Sequence, residues 1–212
     1  MTRNRQDGTA VPNGHNRAMP ERSDVIFDSG LDAFGAVVER IDASDWDRPS
    51  PCGGWTARDV LGHLGMSVNM GISMLQGEQP SRPEVDRPAA VVGEDPAAYW
   101  RTTAARARAA LKGADLDVET DTPMGKRTVA DRLAFPAVDL FVHAWDVGRA
   151  AGIDVEVPAE VIEFTHGHID PIPVEMVRGA NGAFGPEVEV PEDASPTEAF
   201  IAWTGRDPRW RA

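Results

Sequence analysis

Four long segments of the chain carry apolar residues at the three- and four-residue spacing of an amphipathic helix, and this periodicity constrains the fold more than any other feature. The segments cover residues 23–43, 57–76, 95–112 and 129–151. Each such helix has an apolar stripe that must be buried, and four stripes are buried most simply against one another. We therefore predict a mainly α fold built on a four-helix bundle.

Local signals mark where these helices begin and end. Thr56 is a good N-cap residue, and Asp59 three positions later can return the capping bond, so a capping box is predicted. Gly77 and Gly152 are typical of the position just after a helix C-terminus. Pro136 lacks a backbone N–H, so we expect either a kink at this position or the start of a helix.

Shorter elements are predicted between and beyond these helices. Residues 116–122 and 126–128 flank the sequence Pro123-Met124-Gly125, which favours a β-hairpin before the fourth long helix. The elements expected later in the chain are a helix over 158–168 that can resume after Pro173, a short strand at 188–190 and a final helix over 197–203.

These elements divide the chain into three parts. Residues 1–22 are rich in Asn, Arg, Gly and Pro and are expected to be a disordered leader. Residues 23–152 would form the bundle, and residues 153–212 a small mixed extension packed on it.

The charge balance argues against some partners. The formal net charge of −13 is unfavourable for binding nucleic acid or an anionic membrane, because both require a basic surface. No apolar run approaches the roughly 18 residues that a membrane-spanning helix needs, and the first 22 residues lack the apolar centre of a signal peptide. We expect a cytoplasmic monomer or homodimer that acts on a small molecule.

The single cysteine, Cys52, excludes an intrachain disulfide and a metal site made of several cysteines. It precedes a helix start, where the pKa of a thiol can be lowered, but a small packed side chain is the commoner role.

A candidate metal centre involves the fourth helix and the second. Asp139 and His143 are four residues apart, so their side chains lie on one helix face, roughly 6 Å apart at Cβ. His63 is one of few polar residues in its part of the second helix, and Gly62 and Gly65 beside it allow close approach of a backbone or ligand. Two imidazoles and one carboxylate would leave coordination positions open, as in catalytic sites. From the spacing alone, a hydrogen-bonded core histidine and a simple Asp–His bond are the commoner interpretations.

Other polar residues have two interpretations. Asp146 can accept a hydrogen bond from a ligand histidine, or pair with Arg149 or Arg58 on the bundle surface. Arg58 and Arg149 can also bind an anionic substrate or form ordinary surface ion pairs.

The remaining aromatic and imidazole side chains are expected to be structural. Trp55 and Trp145 are predicted to be packing residues. His166 and His168, only two positions apart, are predicted to lie on the surface, with a place in the pocket as the less favoured alternative.

Three motifs resemble the mycothiol-dependent maleylpyruvate isomerase family of the DinB-like superfamily. They are PCGGWTARDVLGHL at 51–64, DLFVHAWDVGRA at 139–150, and the tail WTGRDPRW at 203–210, which is similar to a short actinobacterial branch. The resemblance implies a DinB-like four-helix bundle that holds a divalent metal, often zinc, through His63, Asp139 and His143. Family isomerases commonly have Glu where this chain has Asp139.

The resemblance also implies a thiol cosubstrate, mycothiol, whose sulfur binds the metal. The expected function is a metal-dependent isomerase or thiol transferase acting on a small electrophilic metabolite. Two alternatives stay open: a thiol-independent metal-dependent hydrolase, lyase or cyclase, and a non-catalytic module that binds a metal or ligand.

Overall fold

The computed structural model describes residues 22–79, 81, 83–122, 125–178 and 182–212. Most of the predicted leader lies outside these residues. The predicted bundle is confirmed, and its four long helices are α1 (Ser23–Val38), α2 (Ala57–Leu75), α3 (Pro96–Gly113) and α4 (Val129–Ala151).

The helices bury a shared apolar core. Helix α4 packs against α1 and α2, while α3 covers the other sides of α1 and α2. Phe27 and Phe34 of α1, Leu64 of α2 and Leu140 of α4 are fully buried, so the stripes meet as the periodicity predicts. Within the described part of the chain, no helix is both long and apolar enough to cross a bilayer.

Capping fixes the ends of the two helices that matter most for the site. Thr56 and Asp59 form the predicted capping box at the start of α2. A second capping box, between Thr128 and Asp131, starts α4, and Gly152 ends that helix with a positive φ of 71°. Helix α4 runs unbroken through Pro136, so the alternative of a new helix starting there is wrong.

Helix α1 is shorter than predicted. It ends at Val38 rather than near residue 43, and Ser23 is its first helical residue, with Arg22 at the N-cap. The chain leaves the helix into a polar segment with a 3₁₀ turn at Ala43–Asp45, after which Trp46 is buried. Burying this indole stabilises the fold more than a longer helix through exposed polar positions would.

The predicted hairpin is present. Strands β1 (Glu119–Thr122) and β2 (Gly125–Thr128) are antiparallel, with Glu119 opposite Thr128 and Thr122 opposite Gly125. The first strand is shorter than the predicted 116–122, and the turn residues Pro123 and Met124 lie outside the described residues.

The later part of the chain is helical and contributes to the same core. It contains α5 (Ala159–Ile169), α6 (Val174–Val177) and α7 (Pro196–Trp203), in agreement with the predicted helices. The strand predicted at 188–190 is wrong: Val188 donates one backbone hydrogen bond to Ala202, but no ladder forms. Phe164 and Phe200 belong to the same apolar cluster as the bundle residues, while the division at residue 152 stays a prediction.

Candidate metal centre

The structure brings His63, Asp139 and His143 together between α2 and α4. Nε2 of His63 lies 3.7 Å from Oδ2 of Asp139, and Nε2 of His143 lies 3.2 Å from Oδ1 of the same carboxylate. One nitrogen from each imidazole and one carboxylate oxygen lie within 4.8 Å of one another, close enough to hold a common cation. The two rings are 5.0 Å apart at their centroids and nearly perpendicular.

Local structure explains why these three side chains meet. The capping box fixes the first turn of α2, and His63 lies about two turns after the N-cap residue Thr56, on the face toward α4. Gly62 lies on another face, where a Cβ would come 2.0 Å from the carbonyl oxygen of Pro88, so this glycine admits a neighbouring backbone rather than a ligand. Gly65 likewise faces the ring of Tyr99.

Asp146 and Arg206 form a chain of hydrogen bonds to His143 on the side of the ring away from Asp139. Nδ1 of His143 lies 2.8 Å from Oδ2 of Asp146, which is completely buried. Nε of Arg206 donates to both oxygens of Asp146, at 2.8 and 3.0 Å, and the Cys52 thiol donates to Oδ2 at 3.2 Å. Asp146 therefore accepts a hydrogen bond from His143, and its cationic partner is Arg206. That this histidine is a metal ligand stays a prediction.

The local charges shift the protonation equilibria strongly. Burial alone would lower the pKa of His143, but the charge and hydrogen bond of Asp139, with the bond to Asp146, raise that pKa well above its usual value. Burial would raise the pKa of Asp139, yet the charge and hydrogen bond of His143 hold it well below its usual value. Burial is similarly outweighed at Asp146, whose pKa is lowered to about 2 mainly by the charge of Arg206.

A second set of possible donors shares one of these histidines. Cys52, His143 and Asp146 also place one donor atom each within 4.8 Å of one another. Both oxygens of Asp146 already accept from Arg206, so a cation there would displace a buried guanidinium. The two sets cannot both use the same nitrogen of His143 at once.

The candidate ligands lie in the wall of a cavity of about 520 Å³. Trp55 also lines this cavity, 5.1 Å from the ring of His63, so its predicted role as a simple packing residue is incomplete. Cys52 and Arg206 complete the wall behind His143, and Arg132 lies farther along α4. The volume falls within the range of about 300–1,000 Å³ that is common for small-molecule sites.

Two arginines that were candidate substrate ligands lie elsewhere. Arg58 donates to the carbonyl oxygen of Gly93 at 2.7 Å, and Arg149 donates to that of Pro208 at 3.2 Å. Neither lines the cavity. Trp145 is buried, as predicted, and the guanidinium of Arg149 lies 5.2 Å from its ring centroid.

The two histidines of α5 differ in their surroundings. His166 contacts Asp170 at 3.2 Å and the ring of Trp203, in keeping with the predicted surface location. His168 is half-buried, packs on Phe164 and lines a neighbouring cavity, which is the less favoured of its two predicted locations.

Arg206 was not among the predicted site residues, although it belongs to the WTGRDPRW motif. Its side chain returns from beyond α7 to Asp146, 60 positions away along the chain. Spacing cannot show such a contact, and the motif itself was the only signal that pointed to it.

The fold and this cluster define a class: helical-bundle proteins with two histidines and a carboxylate in the wall of an open cavity. Residues 27–148 match the mycothiol maleylpyruvate isomerase N-terminal domain, and the chain belongs to that family. Two uncharacterized proteins of Mycobacterium tuberculosis, from strains CDC 1551 / Oshkosh and ATCC 25618 / H37Rv, are each 25% identical over 182 residues. The match covers 84% of this chain and 94% of theirs.

Two crystal structures of mycothiol-dependent maleylpyruvate isomerase, one of a mutant, share the fold. Their TM-scores are 0.55 for the mutant and 0.53 for the other, with 14% and 16% sequence identity. Each match covers 67% of this chain and 65% of the isomerase, so this chain spans slightly less than two thirds of the solved protein.

Proposed function

We propose that this protein is a metal-dependent enzyme of the mycothiol-dependent isomerase or S-transferase type, acting on a small electrophilic metabolite. Its family is mycothiol-dependent, which supports a thiol cosubstrate and a small-molecule substrate. The observation that carries the metal proposal is the convergence of His63, Asp139 and His143.

The donor set fits a zinc ion. Two imidazole nitrogens and one carboxylate oxygen are ligands that zinc accepts, and three protein ligands leave room for one more. The charge balance also fits, because Arg206 neutralises Asp146 while Asp139 faces only imidazoles among its described partners. A cation bound here would hold a thiol ligand as the nucleophilic thiolate near neutral pH.

The protein supplies the orientation of these donors. The raised pKa of His143 keeps Nε2 protonated in the metal-free protein, so a metal ion would have to displace that proton. With Nδ1–H donated to Asp146, the lone pair of Nε2 would then face the cluster and could coordinate. Arg206 fixes Asp146 through both oxygens, so the imidazole keeps one tautomer and one orientation. Asp139 is one methylene shorter than the usual glutamate and must therefore bind closer to its own helix.

The cavity wall sets the surroundings of the reaction. Met70, Met74, Phe135 and Val138 make most of the lining apolar, which limits competing hydrolysis of an electrophile. Arg132 provides a positive charge for an acidic substrate.

Metal content tests the proposal directly. Purified protein should contain about one zinc per chain, and His63→Ala and His143→Ala should each lose most of it while remaining folded by circular dichroism. His166→Ala is the matched control, because His166 lies outside the cluster, and it should retain the metal. Full retention of metal in both cluster variants would refute the ligand assignment.

The role of the thiol is tested on the loaded protein. Cobalt-substituted protein should gain a sulfur-to-metal charge-transfer band when mycothiol is added, and the band should be absent in His143→Ala. A loaded protein that shows no band and no mycothiol-dependent thermal shift would refute thiol use and favour the thiol-independent hydrolase, lyase or cyclase.

A further inference from the structure

A second cavity adjoins the one that contains the metal cluster. It has a volume of about 750 Å³ and lies between the ends of α2 and α4, the hairpin and the turn from α5 to α6. Met70, Met74, Arg132 and Phe135 line both cavities, so the two are neighbours that share a wall.

One face of α4 connects the two cavities. Arg132 precedes Asp139 by seven residues, which is two helical turns, and Phe135 lies between them on the same face. At a rise of about 1.5 Å per residue, the backbone of Arg132 lies about 10 Å along the helix axis from that of Asp139. A ligand in contact with both would be extended along this face.

Arg132 forms no ion pair with a carboxylate of the described residues. The side chain is half-buried, and Nη1 donates to the hydroxyl of Thr120 at 2.9 Å. None of the ion pairs found among the described residues includes Arg132, although such pairs engage other arginines, including Arg101, Arg108 and Arg206. Asp131 also lines the second cavity, where its carboxylate accepts the backbone N–H of Thr128 in the capping box.

The rest of the second cavity is mainly apolar, although Thr122, Arg127 and His168 also line it. Besides the shared methionines and Phe135, its wall includes Ile169 and Ile172. Such a wall suits an alkyl chain or an aromatic ring and is a poor match for a polyhydroxylated sugar, which would lose its hydrogen bonds to water.

We propose that the two cavities form one binding site for an amphipathic anion. The reactive end of this substrate lies at the cluster of His63, Asp139 and His143, its carboxylate or similar anionic group pairs with Arg132, and its apolar chain or ring fills the second cavity. The position of the reactive end rests on the proposed function, but the sites for the anion and the tail do not.

Straight-chain carboxylates probe the anion and tail sites directly. Calorimetric titration of the full-length protein with hexanoate, octanoate and decanoate should show affinity rising about two- to fourfold per methylene. Octanoate should bind at least about tenfold more tightly than octanol, because a charge-assisted bond to Arg132 is lost in the alcohol.

Variants separate the two contributions. Arg132→Gln should weaken octanoate binding by about 10- to 100-fold and leave octanol unchanged. Ile172→Asp should abolish the gain from longer chains. Arg101→Gln is the matched control, since Arg101 pairs with Glu39 outside both cavities, and it should bind as the unmodified protein does.

The outcomes distinguish this inference from the proposed function. An affinity that is independent of chain length, or equal for Arg132→Gln and the unmodified protein, would overturn it. Displacement of decanoate by mycothiol in metal-free His143→Ala would also overturn it, by assigning the second cavity to the thiol. If His143→Ala loses metal and thiol response but keeps graded carboxylate binding, the anion and tail sites stand whatever the reaction.

Discussion

Replacing Arg206 with Met removes the cation that neutralises a fully buried carboxylate while keeping much of the side-chain volume. Asp146 would then keep its bonds from His143 and Cys52 but lose two bonds from the guanidinium. The Arg206 side chain is only 13% exposed, so water cannot readily take its place.

The size of the effect follows from the pKa of Asp146. That pKa lies at about 2 in the folded protein against an ordinary value of 3.8, and each pKa unit corresponds to about 1.4 kcal/mol. The carboxylate therefore contributes about 2 kcal/mol to the free energy of unfolding near neutral pH. Removing one partner of a buried pair costs up to about 5 kcal/mol, so we expect a loss of about 2 to 5 kcal/mol at pH 7.

The stability difference between the two proteins should depend on pH in a defined direction. A lowered folded-state pKa stabilises the protein above pH 3.8, and the contribution is lost as the pH falls through about 2, below which Asp146 is protonated in both states. The stability difference between the unmodified protein and Arg206→Met should therefore shrink over this window.

Urea unfolding between pH 7 and pH 2 measures this difference, with Arg209→Met as the control because Arg209 is 74% exposed. The control should change stability by less than about 0.5 kcal/mol. In parallel, competition with a chelator should show zinc affinity about 10- to 100-fold weaker in Arg206→Met. A stability difference below 1 kcal/mol at pH 7, or one that does not change with pH, would refute the reasoning.

Two further substitutions test the start of α2. Asp59→Asn should lower the free energy of unfolding by about 1 to 2 kcal/mol at pH 7, and the difference should vanish as the pH falls from 4 to 2; urea titration checks this. The reason is that burial would raise the pKa of Asp59, but bonds from Arg87 and from backbone and side-chain groups of the cap lower it to about 2. Gly62→Ala should cost about 1 to 3 kcal/mol in the same assay, because its Cβ would meet the backbone of Pro88, whereas Gly113→Ala, which faces open space, should cost nothing. An equal effect of the two glycine substitutions would contradict this account of the packing.

Structural features that depend on a few adjacent residues could be predicted from the sequence. The capping box of Thr56 and Asp59 and the end of α4 at Gly152 depend on a few adjacent residues, and both formed as predicted. The strand at 188–190 failed because a three-residue alternation had no partner segment to pair with.

The cluster itself was predictable only in part. Spacing placed Asp139 and His143 on one face of a helix, and the apolar surroundings of His63 made it the candidate partner on the second helix. The resemblance to a family then favoured this set as metal ligands over an ordinary Asp–His bond. Two roles stayed open for Arg58 and Arg149, because helical spacing does not show which polar residues face a cavity. Their ion pairs with Asp47 and Asp154 agree with the surface alternative. The contact of Arg206 depends on how the end of the chain folds back, and no local pattern encodes that.

The position of the sole cysteine has a practical consequence. Cys52 lies in the wall of the cavity, hydrogen-bonded to the carboxylate that orients His143. An alkylating reagent would therefore modify the protein at one defined place without any mutagenesis. Protection of that sulfur by an added compound would report that the compound occupies the cavity, so unknown metabolites can be screened before any reaction has been assigned.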